Sequence, residues 1–327
     1  MATGDGTGDG TAATASGRAP LGAHVSTAGG VAKAVPRGEA LGCEAIQVFA
    51  KNANQWRARP LDPAEAAAFR AARRASGAIG RAVSHASYLI NLGATDATVL
   101  ERSEAALADE LVRADALGLD GVVVHPGAHL GTGEEAGIER VAAAIDRVLG
   151  AVPDASPRLL LENTAGQGTV LGHRLEHLAA MRAAVAAPGR VGFTLDTCHA
   201  FAAGYAIHER AGYEDFVAEV AEVLGLDAVC CWHLNDSLRP FGSRRDRHEH
   251  IGEGQIGAEP FGWLLRDERF RGVPMVLETE PGEESAGHRR DLELLRALGG
   301  SPRRERPTKR SPALTGATAG RRGPLSR

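Results

Sequence analysis

Aromatic residues make up only 4% of this 327-residue chain, with three Trp and three Tyr among them, so any aromatic side chain in a loop stands out. Cysteine is equally scarce. Cys43, Cys198, Cys230 and Cys231 are too few, and two of them too close together, for a disulfide framework; buried free thiols in a reducing compartment are expected, which points to the cytoplasm. No apolar run approaches the roughly 18 residues of a membrane-spanning helix. The opening stretch GDGTGDGTAATASG has neither an apolar core nor a basic start, which argues against a signal peptide or a membrane anchor. No GxGxxG follows the first apolar run, where GAHVSTAGG stands instead, so the usual mark of an open dinucleotide-binding sheet is missing.

Charge is distributed unevenly along the chain. The chain carries a net charge of −4, yet from Ser301 onward eight basic residues face the single acid Glu305, a balance of +7. Residues 1–19 hold −1, which leaves −10 on the body. Both ends, 1–19 and 300–327, are expected to be disordered extensions around one domain at 20–299, the basic tail serving solubility or tethering to DNA.

What is present is a regular alternation. Eight short apolar runs read as strands: LGAHVS (21–26), AIQVFA (45–50), RAVSHA (81–86), GVVVHP (121–126), RLLLEN (158–163), VGFTLDTC (191–198), DAVCCWHLND (227–236) and VPMVLETE (273–280). Between them lie Ala-, Arg- and Leu-rich stretches of helical spacing, such as DPAEAAAFRAARRA. Strands that are apolar throughout and alternate with amphipathic helices mean a parallel sheet covered on both faces, and eight such units predict closure into a single α/β TIM (β/α)8 barrel.

Polar residues collect where the apolar runs stop. His85, His125, Glu162, Asp196, His199, His233, Asp246, His248 and Glu278 form a nine-member set which, in such a barrel, converges on the face that holds its chemistry. Imidazole and carboxylate without thiolate suit zinc or another first-row divalent ion. Taken singly, His125 or Glu278 would be an ordinary hydrogen-bonded residue; nine together predict a metal cluster at the C-terminal ends of the strands. Asp196 and His199 lie three apart at a strand end, while Asp246 and His248 lie two apart, so an extended segment aims both to one side. His24 and His129 are expected to support the site by hydrogen bonding, His173 and His177 to occupy one face of a helix, and Cys198 to be packing. His250 is left open.

The segments GAHVSTAGG, KNANQWRARPL, SHASYLINL, HPGAHLG, LENTAGQG, LDTCHAFAAGY, HLNDS, FGSRRDRHEHIGEGQIG and VLETE, in this order, closely resemble the endonuclease IV family of apurinic/apyrimidinic endonucleases over about residues 20 to 298. The resemblance implies a trinuclear zinc centre in a single barrel, with manganese able to replace zinc in part. It assigns His85, His125 and Glu162 to one ion, Glu162 (bridging), Asp196, His233 and Glu278 to a second, and His199, Asp246 and His248 to a third. It further implies hydrolysis of the phosphodiester 5′ to an abasic site, trimming of blocked 3′ ends, duplex DNA as partner and a monomeric enzyme. A shared carboxylate between two ions lets them activate a water, so no side chain need be the nucleophile. Three divalent ions against four carboxylates leave the inner shell at +2, which attracts phosphate in spite of the acidic body. Tyr88, with Asn54, Gln55 and Trp56 of the loop after the second strand, would contact DNA where a damaged nucleotide leaves the stack. Asn54 departs from the Arg that some relatives carry there. Two other functions fit the same fold: a metal-dependent sugar isomerase or epimerase, and a protein that holds abasic sites without cutting them.

Overall fold

The computed structural model describes residues 18–300; the expected extensions at the two ends lie almost entirely outside them. Strands β1 (Leu21–His24), β2 (Ala45–Val48), β3 (Arg81–His85), β4 (Gly121–Val124), β5 (Arg158–Glu162), β6 (Val191–Asp196) and β7 (Val229–His233) are followed by a small antiparallel pair, β8 (Asp236–Ser237) and β9 (His248–Glu249), and by β10 (Met275–Leu277). β1 to β7 and β10 form one closed parallel barrel, sealed where Leu21, Gly22 and Ala23 pair with Met275, Val276 and Leu277. Around it run α1 (Ala34–Ala40), α2 (Pro63–Ser76), α3 (Ala97–Leu117), α4 (Glu134–Ala151), α5 (Leu175–Ala184), α6 (Thr197–Ala203), α7 (Arg210–Glu219), α8 (Ala258–Leu265) and α9 (Ala286–Leu298). All eight expected strands are present.

Local chemistry sets the helix ends. Asp62 caps α2 by accepting from the Ala64 amide, with Pro63 in the first turn and Gly77 in the left-handed region after the last; Asp96 and Gly118 cap the two ends of α3 in the same way. The run VGFTLDTC predicts a strand through Cys198, but β6 stops at Asp196 because its carboxylate caps α6, accepting from the His199 amide at 2.8 Å.

Two apolar layers hold the barrel. Outward-facing strand residues such as Ile46, Val48, Leu161 and Phe193 pack under the helices against Phe69, Leu107, Leu111 and Ile145, all essentially inaccessible to solvent. Each such side chain contributes about 1.5–3 kcal/mol of transfer free energy. Inside the barrel a smaller cluster of Ala45, Val83, Val123, Leu160, Cys231 and Val276 fills the middle. Since side chains alternate with period two, the next inward positions are Gln47, His85, His125, Glu162, His233 and Glu278. One step along each strand therefore takes the interior from apolar to polar. β1 joins the same layers through Gly22 and His24, and a β-carbon at Gly22 would stand 1.7 Å from the Ala45 carbonyl oxygen, so only glycine allows β1 and β2 to approach there.

Candidate metal centre

Glu162 is the hub. At the end of β5 and fully buried, its Oε2 lies 3.1 Å from His85 Nε2 and 3.0 Å from His125 Nε2, and its Oε1 lies 2.8 Å from His233 Nδ1. His233 Nδ1 also stands 3.2 Å from Glu278 Oε2 and 3.9 Å from Asp196 Oδ2. A further group forms beside these, with His199 Nε2 3.2 Å from Asp246 Oδ2 and His248 Nε2 3.2 Å from Asp246 Oδ1. His199 arrives on the first turn of α6. Asp246 and His248 arrive on the segment leading into β9, where the Asp246 amide donates to Gln167 Oε1 at 3.0 Å and Ser237 pairs with His248. All nine residues expected in the cluster are thus brought together.

The donor set fits divalent cations on its own hydrogen bonding. His85 donates its Nδ1 proton to the Ala86 carbonyl (2.8 Å) and His199 donates its own to the Asn163 carbonyl (2.9 Å), so both turn Nε2 toward carboxylates, His85 to Glu162 and His199 to Asp246. The buried Nε2 atoms of His199 and His248 have no hydrogen-bond partner: their separation from Asp246 is that of an ion pair, but the angles are not those of a hydrogen bond. Ring nitrogens and carboxylate oxygens that converge without hydrogen-bond geometry between them are the arrangement that a cation requires. Three of the subsets bring one ligand atom per residue close enough for a single ion: His85 with His125 and Glu162; Glu162 with Asp196, His233 and Glu278; Asp196 with His199 and His248.

Ionisation is shifted to match. Burial alone would raise the Glu162 carboxyl, but the facing His233 and His125 hold it well below the usual carboxylate range. Burial likewise works against charge on His233 and His199, and the neighbouring carboxylates outweigh it and raise both rings well above the usual value. His248 is pushed up to about 9, the Asp246 and Asp196 carboxylates outweighing desolvation. These groups bind cations, protons included, more readily than isolated side chains do.

Further side chains hold the ligands. Asn163 takes the Asp196 amide on its Oδ1 (2.6 Å); Asn235 donates to Asp196 Oδ2 (2.6 Å) and accepts from the Glu278 amide (2.9 Å). Gln47 touches both His233 and Glu278. Asp236, fully buried, accepts from five backbone amides and so gathers the turn that follows the His248 segment. Asn163 and Asn235 lie within two residues of a ligand, Asp236 within three, and Gln47 at the ligand phase of its strand; that placement is the signal in the sequence that points to them.

Other conspicuous residues stay outside the centre. His24 supports it as expected, with Nδ1 3.1 Å from Gln47 Nε2. His129 does not: its Nδ1 accepts from the Gly133 amide at the start of α4. His173 and His177 are not both helical, because α5 begins only at Leu175; both turn to Glu134. His177 Nδ1 accepts from the Gly172 amide (3.3 Å), which leaves its proton on Nε2 to donate to Glu134 (3.2 Å), a brace between two elements. The Cys198 thiol is the exception: it comes close enough to Asp246 and His248 for one ion to reach all three, but burial raises it and it donates to the Arg247 carbonyl. His250 faces Asp291 on α9 at 2.8 Å.

The expected DNA-contacting residues lie on the same face. Tyr88 is 60% exposed, edge-on to Phe49 and 5.4 Å from His85 between ring centroids. Asn54 and Gln55 are exposed, whereas Trp56 is half-buried and packs on the core. Their loop is pinned from below. Buried Lys51 donates to Asp109 (2.9 Å) and the Ala106 carbonyl (3.0 Å), and Arg113 joins Asp109 (2.9 Å) to the Arg59 carbonyl (2.6 Å), so both ends of the loop are tied to α3.

Comparison with known proteins agrees with this geometry. Residues 35–298 match the family model for a xylose isomerase-like TIM barrel. A curated relative from Chloroflexus aurantiacus, named "Probable endonuclease 4", is 50% identical over 278 residues, covering 85% of this chain and 97% of its own; one of the same name from Geobacter sp. strain M21 is 46% identical, covering 85% and 98%. Among solved structures, endonuclease IV from Thermus thermophilus superposes with a TM-score of 0.77 at 42% identity, covering 85% of this chain and 98% of that one. A D-tagatose 3-epimerase-like protein (TM-score 0.64, 17% identity, covering 86% and 98%) shares the fold alone. With this degree of identity across the whole barrel, the chain belongs to the endonuclease IV family of apurinic/apyrimidinic endonucleases.

Proposed function

We propose that this protein is a zinc-dependent endonuclease of DNA base excision repair. It hydrolyses the phosphodiester 5′ to an abasic site in duplex DNA, leaving a 3′-hydroxyl and a 5′-deoxyribose phosphate, and also trims blocked 3′ ends. The observation that carries this reading is the convergence of nine imidazole and carboxylate ligands around the buried, two-sided carboxylate of Glu162.

His85, His125 and Glu162 would hold one cation; Glu162, Asp196, His233 and Glu278 a second; His199, Asp246 and His248 a third. When bound, such a centre supplies an activated water at neutral pH and charge stabilisation for the phosphoryl oxygens and the departing 3′-oxygen. The chain's own residues do the positioning. Glu162 faces the His85 and His125 pair with one oxygen and His233 with the other, which sets the spacing of the two ligand groups. Tyr88, 60% exposed beside His85, fills the space left by the displaced abasic nucleotide, and the clamped loop, seated on the core by Trp56, presents Asn54 and Gln55 to the duplex beside it. A phosphodiester transition state spreads negative charge over several oxygens, so placement in a cationic site accounts for most of the acceleration. Nitrogen and oxygen donors without thiolate suit zinc, with manganese a partial substitute. No helix among the described residues is long and apolar enough to cross a membrane, and we place the enzyme in the cytoplasm, acting as a monomer on duplex DNA.

The test is incision of a duplex carrying one tetrahydrofuran abasic analogue, with and without a strong chelator, together with elemental analysis. Incision on the 5′ side that leaves a polymerase-extendable end, three zinc ions per chain and loss of activity with the chelator are expected. Incision that survives metal removal, or a reproducible content of one ion per chain, overturns the proposal.

A further inference from the structure

None of the nine ligands comes from β2, yet β2 reaches the centre through one side chain that is completely inaccessible to solvent, Gln47. It follows Ala45 by two positions and so points inward at the level of the ligands. Its Oε1 lies 2.8 Å from His233 Nε2, and its Nε2 lies 2.5 Å from Glu278 Oε1 and 3.1 Å from His24 Nδ1. The amide can be turned only one way. Reversed, its carbonyl would face a carboxylate, and its NH2 would face the proton that His233 must carry on Nε2 if Nδ1 is to be bare. In the orientation present, Oε1 accepts from His233 Nε2–H and the two amide protons go to Glu278 and His24, so every polar atom of the side chain is satisfied.

We propose that Gln47 is a positioning residue of the metal centre: it fixes His233 as the Nε2–H tautomer and occupies Glu278 Oε1, so that His233 Nδ1 and Glu278 Oε2 are turned to the same cation. This rests on the metal-centre reading above. His233 Nδ1 and Glu278 Oε2 are 3.2 Å apart, with Glu162 Oε1 2.8 Å from the same nitrogen. A neutral imidazole has one proton to place, and placing it on Nδ1 would remove the ring from the donor set. Supporting groups of this kind affect metal affinity by about 10- to 100-fold. Gln47 touches none of the residues on the His199, Asp246 and His248 side in any hydrogen bond found among the described residues, so its influence is confined to the ion held by His233 and Glu278.

The experiment compares wild type with Gln47→Met, which keeps the length and lack of branching but has no amide. Zinc is withdrawn from the loaded proteins by graded chelator competition and the remaining metal counted. The variant is expected to lose one of its ions at about 10- to 100-fold lower chelator concentration while the other two are held as in wild type. Equal retention of all ions overturns the proposal. A second measurement needs no variant: in zinc-loaded wild-type protein, long-range 1H–15N correlations should place the His233 ring proton on Nε2, and a proton on Nδ1 overturns the proposal even if Gln47→Met does not fold. Wild-type protein that takes up no zinc would instead refute the metal-centre reading itself.

Discussion

Replacing Asp236 with Asn changes one oxygen for an NH2 group and nothing in size, yet it should loosen the whole segment that carries Asp246 and His248. Asp236 is completely buried, and its Oδ1 accepts from the Ser237 and Ile256 amides at 2.7 and 2.8 Å, while its Oδ2 accepts from Gly252, Gly254 and Gly257 at 3.0, 3.1 and 3.2 Å. Whichever way the new amide turns, its NH2 must face at least two backbone N–H groups. Asp236 is closed to bulk solvent, and Gly254 approaches it so closely that a β-carbon there would lie 2.5 Å from Asp236 Oδ1. At about 1–3 kcal/mol for each buried donor left unsatisfied, the cost is about 2–6 kcal/mol. Part of this is offset, because burial disfavours the carboxylate and raises its pKa, a penalty that the neutral amide escapes. A net loss of even about 2 kcal/mol is a large share of the roughly 5–15 kcal/mol by which a folded domain is stable. At about 2–4 °C per kcal/mol it should lower the melting temperature by about 4 °C or more, unless the turn opens locally while the barrel stays folded. In that second case the third group of ligands loses its support, and elemental analysis should show less than the wild-type zinc content. Asp236→Asn protein that melts within about 1 °C of wild type and retains all its zinc would refute the reasoning.

Three other perturbations separate chemistry, recognition and stability. Glu162→Gln, which removes the charge shared between two ligand groups, should lower the incision rate on abasic duplex by several orders of magnitude with the fold intact by circular dichroism; near-normal turnover would make Glu162 structural. Tyr88→Ala should reduce discrimination between abasic and intact duplex in competition binding while zinc content stays unchanged, and equal selectivity would return Tyr88 to loop packing. Glu110 is raised by burial from the ordinary 4.5 to about 7 against the opposing pull of Lys51, 3.8 Å away. A carboxyl whose folded pKa lies above its unfolded one binds more protons when folded, so it costs stability progressively from about pH 4.5 to 7 and fully above that. Glu110→Gln should therefore gain on wild type by up to about 3 kcal/mol between about pH 5 and pH 8 in urea unfolding, and a gap that does not change with pH would contradict the burial argument.

The barrel was legible because strands buried on both faces are apolar at every position, which makes them conspicuous as runs, and the ligands were legible because charge interrupts those runs abruptly. Helix ends were less so. LGHRLEHLAAM has helical spacing from its first histidine, but Arg174 is extended and the helix starts one residue later, so His173 precedes the helix and His177 lies within it, both facing Glu134 on α4. Whether Glu162 or another carboxylate would be shared could not be read from spacing. Strand order settles which ligands flank it: β5 lies between β4, which brings His125, and β6, which brings Asp196.

Neutral amides were the part of the centre hidden in the sequence. Gln47 sits inside AIQVFA, where an uncharged residue scarcely breaks the apolar run, and Asn163 and Asn235 follow so closely on Glu162 and His233 that they pass for turn residues. Yet the same alternation that exposes the ligands determines Gln47. Once Ala45 is assigned to the layer of Val83, Val123, Leu160, Cys231 and Val276, the residue two further on must enter the layer of His85, His125, Glu162, His233 and Glu278. A side chain at that level that carried no hydrogen-bonding group would leave the His233 Nε2–H and Glu278 Oε1 without partners in a space closed to water. The polarity of Gln47 is therefore fixed by its neighbours across the barrel, and it is a consequence of register that reading β2 alone cannot recover.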